Sequence, residues 1–201
     1  MKLYYAPWAC SLADHIALEE SGFAFEIERV DLKTKQTASG RDFNDVSPKG
    51  YVPALVLDTG ELLTENVAVL DWIASQAPHL TVPGPLGRTR ALEALTYVST
   101  ELHGAFKVMW HPAPEAEKAT AREAIAVKLR YVASTLVGDY LFGASPSVAD
   151  FYLFVILRWA LRFQVELPPA LRALLVRLEN RPTVQRALRD EGVPLMAAQA
   201  A

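Results

Sequence analysis

One thiol, one Val–Pro step and one Glu–Asn pair hold most of the chemical potential of this chain. Cys10, the only cysteine, lies in "YYAPWACSLADHIALEESG", just ahead of a run with helical spacing. A helix N-terminus carries free N–H groups and a partial positive charge, so a sulfur placed there is expected to ionise more readily. The competing reading is a buried, inert cysteine, since cysteine is often buried. Position favours chemistry, because the residue falls between a strand and a helix, where α/β sheets place their ligands.

In "PKGYVPALVLD", Val52–Pro53 comes immediately before a strand. A trans proline there is structural; a cis one turns the preceding N–H and C=O outward to pair with an extended peptide. In "LLTENVAVL", Glu65 and Asn66 open the next helix. Its N-terminus can hold a carboxylate and the Glu an ammonium, the two charges of an amino acid. Thr64 capping the helix, with Glu65 complementing its dipole, accounts for the same residues equally well. Together the three places suit a small peptide, with a thiol near Cys10, a backbone near Val52 and an amino-acid end at Glu65 and Asn66.

These residues need a frame. Residues 3–5 and 25–30 are short β-prone runs, and "ALVLD" and "ELL" flank Thr59–Gly60, a hairpin turn. Helical patterns run from Ser11 to Ser21, stopped by Gly22, and from Thr64 to Gln76, stopped by Pro78. The stretch 77–87 carries three prolines and two glycines and reads as a linker. Beyond it the pattern is helical throughout: 88–110, 115–137, 147–163, 169–179 and 182–190. The expectation is an α/β domain over 1–78, a linker at 79–87 and an all-helical domain over 88–201. Ser147 and Asp150 have capping-box spacing ahead of a helix apolar nearly all round, a stabilising feature at the centre of its domain.

The bulk numbers exclude several classes. Of 201 residues, 51% are hydrophobic and 21% charged, and the net charge is −3 without a basic stripe, which argues against nucleic acid as a partner. The longest apolar run near the C-terminus, 151–157, is far too short to cross a membrane. One cysteine forbids an internal disulfide, and four scattered histidines show no metal-ligand spacing, so no metal is expected. With no signal-peptide pattern at the start, a reducing cytoplasm is the expected location. No serine elbow, phosphate loop or dinucleotide fingerprint is present.

The 88–110 helix carries two stripes. Ala91, Leu95, Val98, Leu102, Ala105 and Met109 form the apolar one. Thr96, Thr100, His103, Lys107 and Trp110 form a second, either a solvated face or one wall of a cleft against the first domain. Trp8, Phe106, Trp110 and Trp159 are candidates for an apolar pocket beside the sulfur, with core packing the alternative for Trp159. His15 reads as structural.

The stretches "MKLYY", "ACSLA", "VDLKTK", "NDVSPKGYVPALVLDTGELLTE", "TELH", "SVADFYLF" and "LRWA" resemble a bacterial cytosolic glutathione transferase of the beta class, over residues 1 to about 190. The resemblance implies a thioredoxin-like N-terminal domain with an all-helical C-terminal one, glutathione as co-substrate, a small apolar electrophile as second substrate, and a homodimer. It implies glutathione contacts at Cys10, Lys35, Val52, Pro53 (as a cis-proline), Glu65 and Asn66, and at His103 with Thr100, Glu101 and Leu102 on the same edge. Cys10 and His103 are the implied catalytic pair, offering hydrogen bonds to the sulfur. Three positions depart from the family: Trp8 replaces a small residue, Asn66 stands where Ser or Gly is common, and Thr96 replaces an asparagine. The competing activities on this fold are a disulfide reductase or peroxidase using Cys10, and a non-catalytic ligand carrier or adaptor.

Overall fold

Leu3 is the hub of the sheet. It is fully buried, with Ile27 opposite on one neighbouring strand and Leu55 on the other. The computed structural model describes residues 1–196, and five strands form its mixed sheet. They are β1 (Lys2–Tyr5), β2 (Glu26–Asp31), β3 (Gln36–Thr37), β4 (Ala54–Val56) and β5 (Leu62–Thr64), in the order β3-β2-β1-β4-β5. β1 and β2 run parallel; the other pairings are antiparallel. The hairpin expected at Thr59–Gly60 joins β4 to β5, and Gly60 supplies the φ of 88° that a side chain resists. The two-residue edge strand β3 was not expected, because so short a piece has no periodicity to read.

Helix α1 (Leu12–Ser21) connects β1 to β2, the crossover a parallel pair requires, and ends at Gly22 with φ 75°. Helix α2 (Asn66–Gln76) follows β5. A 3-10 turn at Pro78–Leu80 and irregular backbone then lead to α3 (Gly87–Tyr97). The helix expected to run unbroken to residue 110 changes character twice. A π-helical turn spans Val98–His103 and a 3-10 segment spans Gly104–Trp110. A π turn holds extra backbone per revolution, so residues after it face a different side from the one a 3.6-residue period assigns. Helices α4 (Glu115–Thr135), α5 (Val148–Arg162), α6 (Pro169–Glu179) and α7 (Pro182–Asp190) complete the structure. The C-terminal end of the expected second domain, 197–201, lies outside the described residues.

One continuous core joins the two halves, from Leu3, Ile16 and Leu70 to Leu95, Phe151 and Leu175. Helix α5 is its axis, buried without interruption from Val148 to Ala160. The Ser147–Asp150 capping box starts it. Asp150 accepts from Leu141 N, Ser147 N and Ser147 Oγ, each at 2.8 Å. Burial pushes this carboxyl up to about 6 despite those three bonds. Helix α1 packs on both α5 and α7, which fixes the start of α1 against the helical half.

Candidate active site

The start of α1, the Val52–Pro53 step and the start of α2 converge on a cleft of about 540 Å³ whose other wall is helical. Trp8, Cys10, Val52, Pro53, Glu65 and Asn66 line one side; Ser99, His103, Trp110, Tyr152 and Trp159 line the other. The Val52–Pro53 bond is cis. The thiol of Cys10 donates to Val52 O at 3.8 Å, so the two positions singled out from separate segments touch.

The expected ionisation of Cys10 is reversed. Burial pushes its thiol up to about 12, and the Asp14 carboxyl, one turn further along α1, adds to the rise. Backbone N–H groups at the helix start pull the other way but are outweighed. Asp14 is fully buried with neither carboxylate oxygen hydrogen-bonded, and burial raises it well above the usual carboxylate range. The cleft therefore holds a neutral thiol at neutral pH.

The start of α2 has the features of a ligand clamp. Glu65 takes φ 70°, a left-handed conformation that a non-glycine residue adopts rarely and at a cost. Its carboxylate accepts from Lys49 Nζ and, at 3.1 Å, from Tyr51 Oη. The Lys49 hydrogen bond holds this carboxyl below its usual range, so it is ionised at neutral pH. Asn66 beside it is buried, and neither its amide oxygen nor its amide nitrogen has a partner. Buried amides in folded proteins are nearly always satisfied; this one lines the cleft, where a ligand can satisfy it.

On the helical wall, His103 Nδ1 lies 2.7 Å from Tyr152 Oη. Burial lowers the imidazole's pKa and raises that of the phenol, so the pair is a neutral ring with a protonated hydroxyl. A hydroxyl donating to Nδ1 leaves the imidazole proton on Nε2, where it can be donated in turn. The ring packs edge-on against Trp159, centroids 4.9 Å apart. Trp159 Nε1 donates to the carbonyl of Trp8 at 2.9 Å, linking the two walls.

Family models for the glutathione S-transferase N-terminal domain and C-terminal domain match residues 9–76 and 95–182. The chain belongs to the glutathione S-transferase family. Glutathione S-transferase GstA of Escherichia coli O157:H7 is 42% identical over 200 residues, covering 96% of this chain and 100% of that protein. A sphingomonad glutathione S-transferase complexed with glutathione superposes with a TM-score of 0.89 at 42% identity, over 96% of this chain and all of that one. The beta-class glutathione S-transferase of Sphingomonas chungbukensis does so at 0.86 and 41%, with the same coverage. The beta-class resemblance and the thioredoxin-like-plus-helical architecture therefore stand.

Within this glutathione S-transferase fold, several expected site residues lie elsewhere. Thr100 and Thr96 line a different groove between α3 and α4, and the Thr100 hydroxyl donates back to Thr96 O at 2.9 Å. Glu101 is exposed and pairs with Lys128. Leu102 is fully buried in the core. Ser99 and His103, four residues apart, share the face that meets the cleft, and the three between them point elsewhere; the π turn widens the angle between Thr100 and His103 beyond what a 3.6-residue period gives. Phe106 is fully buried behind Trp159 rather than on the cleft surface. Lys35, at φ 61°, does not line the cleft; its Nζ donates to Gly50 O at 2.6 Å, bracing the loop that leads to Tyr51 and Val52.

The cleft residues not singled out from the sequence include Ser99, Tyr152 and Tyr51, whose hydroxyl donates to Glu65. Ser99 stands four residues before His103, a spacing that puts both on one helix face, and was readable on that ground. Tyr152 gave a signal too: a hydroxyl inside an otherwise apolar helix needs a partner. On the far face of α1, the structure also brings ligand atoms of His15, Glu19 and Asp190 within 4.8 Å of one another, a grouping that histidine spacing alone did not show. Arg186 holds the Glu19 carboxylate at 2.9 Å, and His15 Nδ1 pairs with buried Glu191 at 3.0 Å, in keeping with a structural His15. Among the described residues no helix is long and apolar enough to cross a membrane.

Proposed function

We propose that this protein binds glutathione along the α/β wall of the cleft and joins it, through its sulfur, to a small apolar electrophile held by the helical wall. Asn66 carries the reading: a buried, unpartnered amide beside an ionised, backbone-strained Glu65 is a pair awaiting an amino acid's carboxylate and ammonium. The γ-glutamyl end belongs there, the cysteinyl backbone on Val52, and the sulfur near Cys10 and His103. Lys35 acts by bracing the loop, or by reaching the glycine end once released from Gly50. Thr100, Glu101 and Leu102 contribute through the backbone of the π turn.

In the reaction the glutathione thiol gives its proton to solvent. The sulfur then bonds to the electrophilic carbon, and the leaving group departs with the electrons of the broken bond. Hydrogen bonds from the Cys10 thiol and His103 Nε2 stabilise the thiolate before attack. A neutral Cys10 is a donor in this scheme. The same neutrality disfavours the alternative of Cys10 as a disulfide-attacking nucleophile, since the thiolate is the reactive form. Glutathione in the reducing cytosol suits both free thiols. A homodimer fits the apolar groove between α3 and α4, flanked by exposed Val127 and Tyr131; light scattering measures it directly.

The test is initial-rate conjugation of glutathione with 1-chloro-2,4-dinitrobenzene, in the wild type and in Cys10→Ala. Turnover surviving in the variant supports conjugation. Loss of conjugation, together with Cys10-dependent reduction of a mixed disulfide in the wild type, supports the reductase alternative.

A further inference from the structure

Two arginines of α5 approach the same indole, with opposite electrostatic circumstances. The Arg158 guanidinium lies 5.5 Å from the Trp8 ring centroid, but it is buried and paired with Glu179. Arg162, the exposed last residue of α5, lies 4.3 Å from the Trp8 centroid and 5.5 Å from that of Trp110. No carboxylate pairs with it among the described residues. Both rings line the cleft, so a guanidinium with no carboxylate or other acceptor among the described residues stands beside the apolar pocket, against two of its lining rings.

These two rings are held in place. Trp8 is held at φ 66°, in the left-handed region, and its carbonyl is fixed by Trp159 Nε1. Trp110 packs edge-on to Phe163 at 4.7 Å and to Trp159 at 5.4 Å. Aromatic faces orient a guanidinium without neutralising it, so the charge remains available to a ligand.

Resting on the glutathione-transferase reading, we propose that the preferred electrophile is an aromatic anion. Its ring packs among Trp8, Trp110 and Trp159, and its carboxylate or similar acidic group is met by Arg162. A planar cation beside a ring-lined pocket fits an aryl carboxylate better than an uncharged hydrocarbon, because guanidinium and carboxylate form parallel charge-assisted hydrogen bonds.

The matched probes are 4-chloro-3,5-dinitrobenzoate and the corresponding carboxamide, which share ring and leaving group but differ in charge. In both, the glutathione thiol loses its proton to solvent, a C–S bond forms, and the C–Cl bond breaks to release chloride. The readout is the kcat/KM ratio of acid to amide, each divided by its uncatalysed rate. The wild type is expected to favour the acid by about tenfold, mainly through KM, and Arg162→Gln to bring the ratio close to one. The wild-type ratio should also fall as ionic strength rises, a check that needs no variant. Turnover of both probes with a ratio near one in the wild type, or a ratio unmoved by Arg162→Gln, overturns the proposal and leaves the transferase reading standing. Glutathione-dependent turnover of neither probe overturns both.

Discussion

The two walls of the cleft are made on different plans. The α/β wall presents backbone and polar groups set by local conformation: the cis Val52–Pro53 bond, the left-handed Glu65 and the unpartnered Asn66 at the start of α2. The helical wall presents rings: His103, Trp110, Tyr152 and Trp159, positioned by packing along α5 and by the π turn after α3. One wall has the donors and acceptors that fix a polar, conformationally defined ligand. The other offers area and shape, which admit a range of apolar ones. A constant co-substrate on the first wall and a variable partner on the second follow from that division.

The division breaks most visibly if the α/β wall is damaged. Glu65→Ala should weaken glutathione binding by about 100-fold, the loss of a charge-assisted contact to the ammonium, while the KM for the electrophile changes little. Calorimetry and steady-state kinetics separate the two. Equal losses on both substrates would mean that the walls do not act independently. The helical wall answers with the mirror-image experiment. Trp110→Ala should raise the electrophile KM by about tenfold, from lost apolar contact, and leave the glutathione Kd near its wild-type value.

Finer changes sharpen the comparison. Tyr152→Phe removes the hydroxyl that sets the His103 tautomer and should lower kcat about fivefold. The KM values should stay within about twofold, because the ring and its packing remain. The smallest expected effect is a rate profile. With its thiol pushed up to about 12, Cys10 in the ligand-free protein is protonated at neutral pH. Its alkylation by iodoacetamide should be slow at pH 7 and climb about tenfold per pH unit through pH 10, without a plateau. A plateau near neutrality would show that the helix start outweighs burial after all.

The same contrast explains what could be read from the chain. Features fixed by near neighbours were legible: Gly22 ending α1, the Thr59–Gly60 hairpin, the Ser147–Asp150 capping box, and the bounds of α6 and α7, both opened by proline. The α/β wall was legible for the same reason, since Val52, Pro53, Glu65 and Asn66 depend on short segments. The helical wall was read less well. As glutathione contacts, Thr100, Glu101 and Leu102 came from the resemblance and not from helical spacing, and their side chains lie away from the cleft that His103 lines. Phe106 was placed on the surface of a pocket it supports from behind. The acidity of Cys10 had the wrong sign because a helix start can be seen in a sequence, whereas desolvation and a buried Asp14 depend on what packs around them. Arg162 and Trp8 meet only in three dimensions.

The central claim is that glutathione lies along the α/β wall, anchored at its glutamyl end. Calorimetric titration of glutathione into the cysteine-free Cys10→Ser protein tests it most directly, because mixed-disulfide formation is then impossible. The account predicts saturable one-to-one heat with a Kd below about 1 mM. An absence of heat in both this variant and the wild type would contradict it.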